Sequence, residues 1–183
     1  MASFRVRGRL HGGRSNERVQ AEGAMALLLN TALFLSTHTN RLDGKGRVSF
    51  PAPFRIAVSE RKSQGVLLFK SIVDPAIEGI TTERLSQMSA ALESLPPFAP
   101  ERAFFETAIF GSAQALQLDT EGRCSIPKAL LEAVGITTEL AFLGRGATFQ
   151  IWEPEALARR TAEAVAALKS GAVAFPILPA TVL

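Results

Sequence analysis

The pattern of apolar and polar residues predicts a series of short strands and helices from residue 32 onwards. Ala32–Leu42 is predicted as a strand, Asp43–Gly46 as a tight turn and Arg47–Phe50 as the returning strand of a hairpin, because glycine supplies the positive φ that a short turn needs. Pro51 ends this strand and opens a short helix, since proline suits the first turn of a helix. Two further strands and an amphipathic helix capped by Thr82 are predicted at 65–72, 77–80 and 81–95.

The same order of elements returns 76 residues later. The stretch LDGKGRVSFP at 42–51 matches LDTEGRCSIP at 118–127 in its aspartate, glycine, arginine, serine and proline. By the later strands the offset has fallen to 72, which predicts a four-residue insertion near 71–75 in the first copy. Each copy holds too few strands to bury its own apolar face, so the two copies are predicted to pack together as an intertwined β-barrel.

This repeat divides the chain into five predicted segments of an α+β protein. Residues 1–30 are rich in Arg, Gly and Ser without apolar periodicity, which predicts a disordered basic arm. The remaining segments are predicted as a first repeat with its helix, a linker helix, a second repeat with a closing helix, and a tail, at 31–97, 98–113, 114–170 and 171–183.

Composition narrows the classes of function. The chain has 183 residues, of which 47% are hydrophobic and 20% charged, so it is expected to be soluble and globular. The single cysteine, Cys124, excludes an internal disulfide framework and a cysteine-rich zinc site, and we interpret it as a small buried apolar residue. Two histidines and no tyrosine offer few groups for acid–base chemistry. We therefore expect no enzyme activity, no metal, no cofactor and no membrane span.

Charge is distributed unequally between the two turns. Residues 41–62 hold six basic and two acidic residues, a net charge of +4, whereas 117–138 hold two basic and three acidic residues, a net charge of −1. A hairpin that projects Arg and Lys can enter a DNA major groove or contact phosphates, although charge alone suits a solvated basic face equally well. The candidate DNA-contacting residues are Arg41, Lys45, Arg47, Arg123 and Lys128.

The two aspartates of the repeated turn are predicted to have a structural role. Asp43 and Asp119 are placed to accept hydrogen bonds from backbone N–H groups of the turn and to pair with the arginines four residues later. With Gly46 and Gly122 they would form the frame of each turn. The alternative, a pair of catalytic carboxylates, lacks a positioned nucleophile or base.

The segments LDGKGRVSFPAPFR (42–55) and LDTEGRCSIPKALLEAVGI (118–136) resemble the paired motifs of the MraZ family. The resemblance implies two tandem SpoVT/AbrB-like swapped-hairpin units that form a pseudo-symmetric β-barrel with peripheral helices. It also implies a cytoplasmic, nucleoid-associated regulator that binds short direct repeats of double-stranded DNA upstream of its own gene, in the division and cell-wall gene cluster. A ring-shaped homo-oligomer is implied as well. The family's Asp-to-Arg signature falls on Asp43 with Arg47 and on Asp119 with Arg123, and Glu121 departs from the usual lysine.

A rival interpretation from another functional class is an antitoxin-type module with the same kind of fold. Its main role would be to bind a partner protein through an extended C-terminal region. The apolar segment that follows residue 170 is short for such a role.

Overall fold

The computed structural model describes residues 33–61, 63 and 65–173, and it has an α+β architecture with a mostly antiparallel sheet. The predicted basic arm and most of the predicted tail lie outside the described residues. The first copy of the repeat contains strands β1 to β4 and helices α1 and α2, at Thr37–Arg41 (β1), Arg47–Ser49 (β2), Ala52–Glu60 (α1), Val66–Lys70 (β3), Ile77–Thr81 (β4) and Thr82–Leu92 (α2).

A short helical linker joins this copy to the second. The linker consists of helix α3, Pro100–Phe105, which continues into a π-helical segment at Glu106–Phe110. The second copy then follows in the same order, at Gln114–Leu116 (β5), Arg123–Ser125 (β6), Lys128–Ala133 (α4), Glu139–Gly144 (β7), Phe149–Trp152 (β8) and Pro154–Lys169 (α5).

Local sequence signals place most of these boundaries. Pro51 and Pro127 immediately precede α1 and α4, as expected for residues that stop a strand and open a helix. The cap of α2 is Thr81, whose hydroxyl accepts a hydrogen bond from the Arg84 N–H, so the predicted cap at Thr82 is one residue late. The first strand is shorter than predicted because Ser36 has a φ of 70°, which interrupts the extended backbone.

The turns form where they are predicted, but the strands on either side of each turn do not pair with one another. Strand β1 instead pairs with β7, β5 pairs with β3, and the short strands β2 and β6 form a separate two-stranded sheet. The large sheet has the order β1-β7-β8-β4-β3-β5, which is unchanged when each strand is exchanged with its counterpart in the other copy. The two copies are therefore interleaved.

This sheet is not closed among the described strands. Strands β1 and β5 are its two edges, and no strand ladder joins them in the described part of the chain. The closed pseudo-symmetric barrel is not confirmed.

The strand register also corrects the predicted insertion. Ile80 and Trp152 are equivalent at an offset of 72, but their strand partners, Leu67 and Ala141, are equivalent at an offset of 74. The first copy thus has two extra residues before β3 and two more between β3 and β4, instead of four residues near 71–75.

The main core lies between the two copies. Its centre is a cluster of fully buried phenylalanines whose ring centroids are 5.1–6.2 Å apart, formed by Phe34, Phe50, Phe54, Phe142 and Phe149. Burial of one such side chain contributes about 1.5–3 kcal/mol to stability. Because both copies supply these rings, neither copy has a complete core of its own.

Candidate nucleic-acid interface

The first turn is built around the carboxylate of Asp43. Its Oδ1 accepts hydrogen bonds from the backbone N–H groups of Lys45 (2.8 Å) and Arg47 (2.9 Å), while the Asp43 N–H donates to the Arg47 carbonyl (2.7 Å). Gly46 completes the turn with a φ of 73°, a conformation that favours glycine. These bonds fix the backbone from which the Arg47 side chain emerges.

The second turn reproduces this geometry. Asp119 Oδ1 accepts from the N–H groups of Glu121 and Arg123, at 2.9 Å each, and the Asp119 N–H donates to the Arg123 carbonyl at 2.8 Å. Gly122 has a φ of 75°. Two segments that lie 76 residues apart thus present an arginine from the same backbone frame.

Each arginine is held by the aspartate of its own turn. Arg47 donates to Asp43 Oδ2 from Nε (2.9 Å) and lies 2.8 Å from the same oxygen through Nη2. Arg123 contacts Asp119 Oδ2 from Nε at 2.9 Å and Glu121 Oε2 from Nη2 at 2.8 Å. About 30% of each arginine side chain remains exposed.

The two turns lie side by side. Arg47 Nη1 is 3.8 Å from Asp119 Oδ2, so an arginine of one copy reaches the carboxylate of the other. We refer to the charged residues that meet here as the turn cluster, which consists of Asp43, Arg47, Asp119, Glu121 and Arg123. It joins two guanidinium groups and three carboxylates on the surface beside the β2–β6 sheet.

These contacts shift the pKa values of the turn residues. The backbone N–H of Arg47, together with its side chain, lowers the pKa of Asp43 to about 2. The Arg123 N–H likewise lowers the pKa of Asp119. The hydrogen bond from Asp119 raises the pKa of Arg123. Both aspartates are therefore ionised at neutral pH and hold the arginines by charge as well as by hydrogen bonds.

The copies differ at the third residue of the turn. Lys45 occupies this position in the first turn and Glu121 occupies it in the second. As a result Arg123 has carboxylate contacts shorter than 3 Å from two residues, whereas Arg47 has them from Asp43 alone. The Nη1 group of Arg47 is the less constrained of the two guanidinium ends.

Arg55 is a residue of this region that sequence reasoning counted only as charge. Its Nη1 donates to the carbonyl oxygens of Phe50 (2.8 Å) and Gly122 (3.4 Å), which ties α1 of the first copy to the turn of the second. A Cβ on Gly122 would lie 2.5 Å from this Nη1, so glycine is required there for close approach as well as for its φ. Arg55 aligns with Leu131 in the second copy, and this mismatch was the available signal.

Two of the predicted DNA-contacting residues lie in ion pairs outside the turn cluster. Arg41 contacts Glu139 at 2.5 Å, and its side chain is 83% exposed. Lys128 contacts Glu132 at 3.3 Å on the first turn of α4, and its side chain is 89% exposed. Lys45 lies on the exposed part of the first turn. All three have charged groups that are open to solvent.

Cys124 is buried on β6, directly opposite its repeat counterpart Val48. Burial raises the pKa of its thiol to about 12, so the reactive thiolate is scarce at neutral pH. Within the described residues, no group of three or more His, Cys, Asp or Glu side chains has the arrangement of a metal site. No helix in the same part of the chain has the length and apolar character needed to cross a bilayer.

Comparison with known proteins identifies similar sequences. Residues 109–170 match a family model described as "MraZ protein, putative antitoxin-like". The chain is 43% identical to the transcriptional regulator MraZ of Pelagibacter ubique over 68% of its own length and 80% of that protein. It is 39% identical to the protein of the same name from Xanthobacter autotrophicus, over 72% of this chain and 83% of the relative. The corresponding protein of Gluconacetobacter diazotrophicus is 43% identical, over 73% and 86%.

Proposed function

Because the chain belongs to the MraZ family, we propose that it regulates transcription by binding double-stranded DNA through the turn cluster and the lysine beside it. The observation that carries this proposal is the side-by-side placement of two identically framed turns, with Arg47 Nη1 3.8 Å from Asp119. The adjoining β2–β6 sheet is two-stranded, and an α-helix or a two-stranded ribbon fits the major groove of B-DNA. The relatives are named as transcriptional regulators, not as enzymes.

The residues of the cluster would divide the work between positioning and contact. Asp43 and Asp119 hold the turns and repel phosphate, so they position the arginines instead of touching DNA. Arg47 offers Nη1 to a phosphate or to a guanine edge, since arginine donates in a planar fork. Lys45 contacts a phosphate as a point charge, and Glu121 makes the second turn the weaker partner. Arg41 and Lys128 add flanking phosphate contacts.

The target and the assembly follow from the family resemblance. We propose that the target is a set of short direct repeats in the promoter upstream of the protein's own gene, within the division and cell-wall gene cluster. A ring-shaped homo-oligomer in the cytoplasm, associated with the nucleoid, would engage several repeats at once and so increase avidity from modest single contacts. The swapped-hairpin barrel and the segment boundaries given above stay predictions.

A footprint of the purified protein on the DNA upstream of its own gene tests this function. We expect protection at regularly spaced repeats. Arg47→Ala should weaken specific binding by about 1–3 kcal/mol if Arg47 contacts a base, or lower the salt dependence by about one unit if it contacts a phosphate. Arg123→Ala is the matched variant and should have a smaller effect. Wild-type binding by Arg47→Ala, together with loss of binding by Arg123→Ala, would assign the principal contact to the second copy.

A second candidate function is suggested by the description of the family model as antitoxin-like. In this case the main partner would be another protein and DNA binding would be secondary. A search for a neighbouring gene whose product co-purifies with the chain separates the two functions. A tight protein complex formed by a chain that leaves no promoter footprint would favour the antitoxin function.

A further inference from the structure

The sheet has an outer face on the side away from the phenylalanine core, and one copy's share of it is covered by the linker. In the first copy Phe69 and Ile80 are buried on this face together with Ile109, and Phe110 packs against them. Ile109 and Phe110 belong to the π-helical segment that follows α2 and α3. The chain that leaves the first copy thus folds back to cover it.

The equivalent face of the second copy lacks such a cover within the described residues. The strand register makes Ala141, Leu143 and Trp152 the counterparts of Leu67, Phe69 and Ile80. Beside them lies a groove of about 530 Å³ between β7–β8 and α5, lined among others by Leu143, Trp152, Leu157, Ala164, Leu168 and Val173. Only Leu157 of the sixteen residues of α5 is buried.

The polar groups at the base of this groove already have partners. Gln150 is 1% exposed and donates to Glu78 (2.6 Å) and to Asp74 (3.2 Å), while the Trp152 indole N–H donates to Gln150 (2.8 Å). Arg160 pairs with Asp74 at 3.2 Å. What remains open is the apolar wall along α5, which suits an uncharged apolar occupant.

We propose that residues 174–183, AFPILPATVL, occupy this groove of the same chain and cover the second copy as Ile109 and Phe110 cover the first. This segment follows α5 as the linker follows α2, and Val173, which precedes it, already lines the groove. It contains no charge, and its two prolines favour an extended backbone. Ten extended residues span about 33 Å, more than the roughly 17 Å between Leu157 and Leu168 along α5.

Trp152 provides a direct test, because it is the only tryptophan of the chain. In a Cys124→Val background, Leu178→Cys would carry a nitroxide, which quenches indole fluorescence on contact. We expect strong quenching relative to the same protein with the nitroxide reduced. To detect exchange between copies, labelled chains that carry Trp152→Phe would be refolded together with unlabelled chains that retain Trp152, and this mixture should show no quenching.

Two substitutions on α5 form a matched pair for the same measurement. Leu168 lines the groove and is 42% exposed, while Val165 is 44% exposed and does not line it. Leu168→Asp should abolish the quenching and Val165→Asp should leave it in place. Quenching only in the mixed sample would assign the groove to a second copy, and absence of quenching in both samples would show that the segment lies elsewhere. Either result, or equal loss in both α5 variants, would overturn the proposal.

Discussion

At the scale of single residues, one position separates two otherwise matching turns. Lys45 and Glu121 occupy the same place in their turns, and only Glu121 contacts the arginine that follows it. A lysine there adds a cation to a surface that meets phosphate, whereas a glutamate neutralises the neighbouring guanidinium. This single difference is enough to make the copies unequal as DNA ligands.

Exchanging these charges should change DNA affinity in opposite directions. Lys45→Glu is expected to weaken binding and Glu121→Lys to strengthen it. Each phosphate that a variant newly neutralises, or no longer neutralises, should change the slope of log K against log salt by about 0.9. Titrations at two salt concentrations measure both effects. The double exchange keeps the net charge, so it controls for charge alone. Unchanged binding in Glu121→Lys would argue against a role for the second turn in DNA binding.

Cys124 and Val48 face one another as repeat counterparts, and this pairing predicts that the thiol is dispensable. Cys124→Val should fold, bind DNA and cost less than about 1.5 kcal/mol in the free energy of unfolding, since apolar exchanges that conserve volume are tolerated. Because burial raises the pKa of the thiol to about 12, a thiol reagent should react only after denaturation. Rapid labelling of the native protein, or loss of DNA binding in the variant, would reveal a role for the thiol.

At the scale of elements, the turns were predictable because everything that defines them is local. Aspartate, glycine and arginine within five residues determine the backbone bonds, the positive φ and the ion pair. The strand partners were not predictable in this way, because β1 and β2 find β7 and β6 about a hundred and about eighty residues away, respectively. Arg55 was missed for the same reason, since its acceptor at Gly122 belongs to the other copy.

The pKa shift of Asp43 predicts how the first turn responds to acid. Its pKa is lowered from 3.8 to about 2 in the folded chain, so ionised Asp43 contributes stability that is present above pH 3.8 and lost as the pH falls toward 2. Asp43→Asn should therefore unfold at a lower temperature than the wild type near neutral pH, and the difference should shrink in that acidic window. Thermal unfolding followed by circular dichroism measures it. Glu83→Gln, which removes an exposed carboxylate from α2, should show no such convergence.

At the scale of the whole molecule, the basic charge of the chain lies largely outside the folded elements. Residues 1–24 hold five arginines and two glutamates, and the remainder of the chain is balanced with fifteen basic and fifteen acidic residues. The described elements begin with β1 at Thr37 and need nothing from this segment to complete the sheet. Folding and assembly should therefore be properties of the remainder.

A chain that begins at Met25 should retain both its fold and its homo-oligomeric state. Light scattering of the full chain and the shortened chain, at matched concentrations, gives the comparison. Identical masses above that of a monomer are the expected result. A monomeric shortened chain beside an oligomeric full chain would place the assembly contacts in the first 24 residues.

The interleaved strand order has a consequence for how the protein is made. During synthesis, β1 leaves the ribosome long before its partner β7, and at about 5–20 residues per second the roughly 100 intervening residues take on the order of 5–20 s. Throughout that time the first copy displays an unpaired strand and half of an aromatic core. The nascent chain is thus exposed to aggregation for seconds, and its folding begins only when translation is nearly finished.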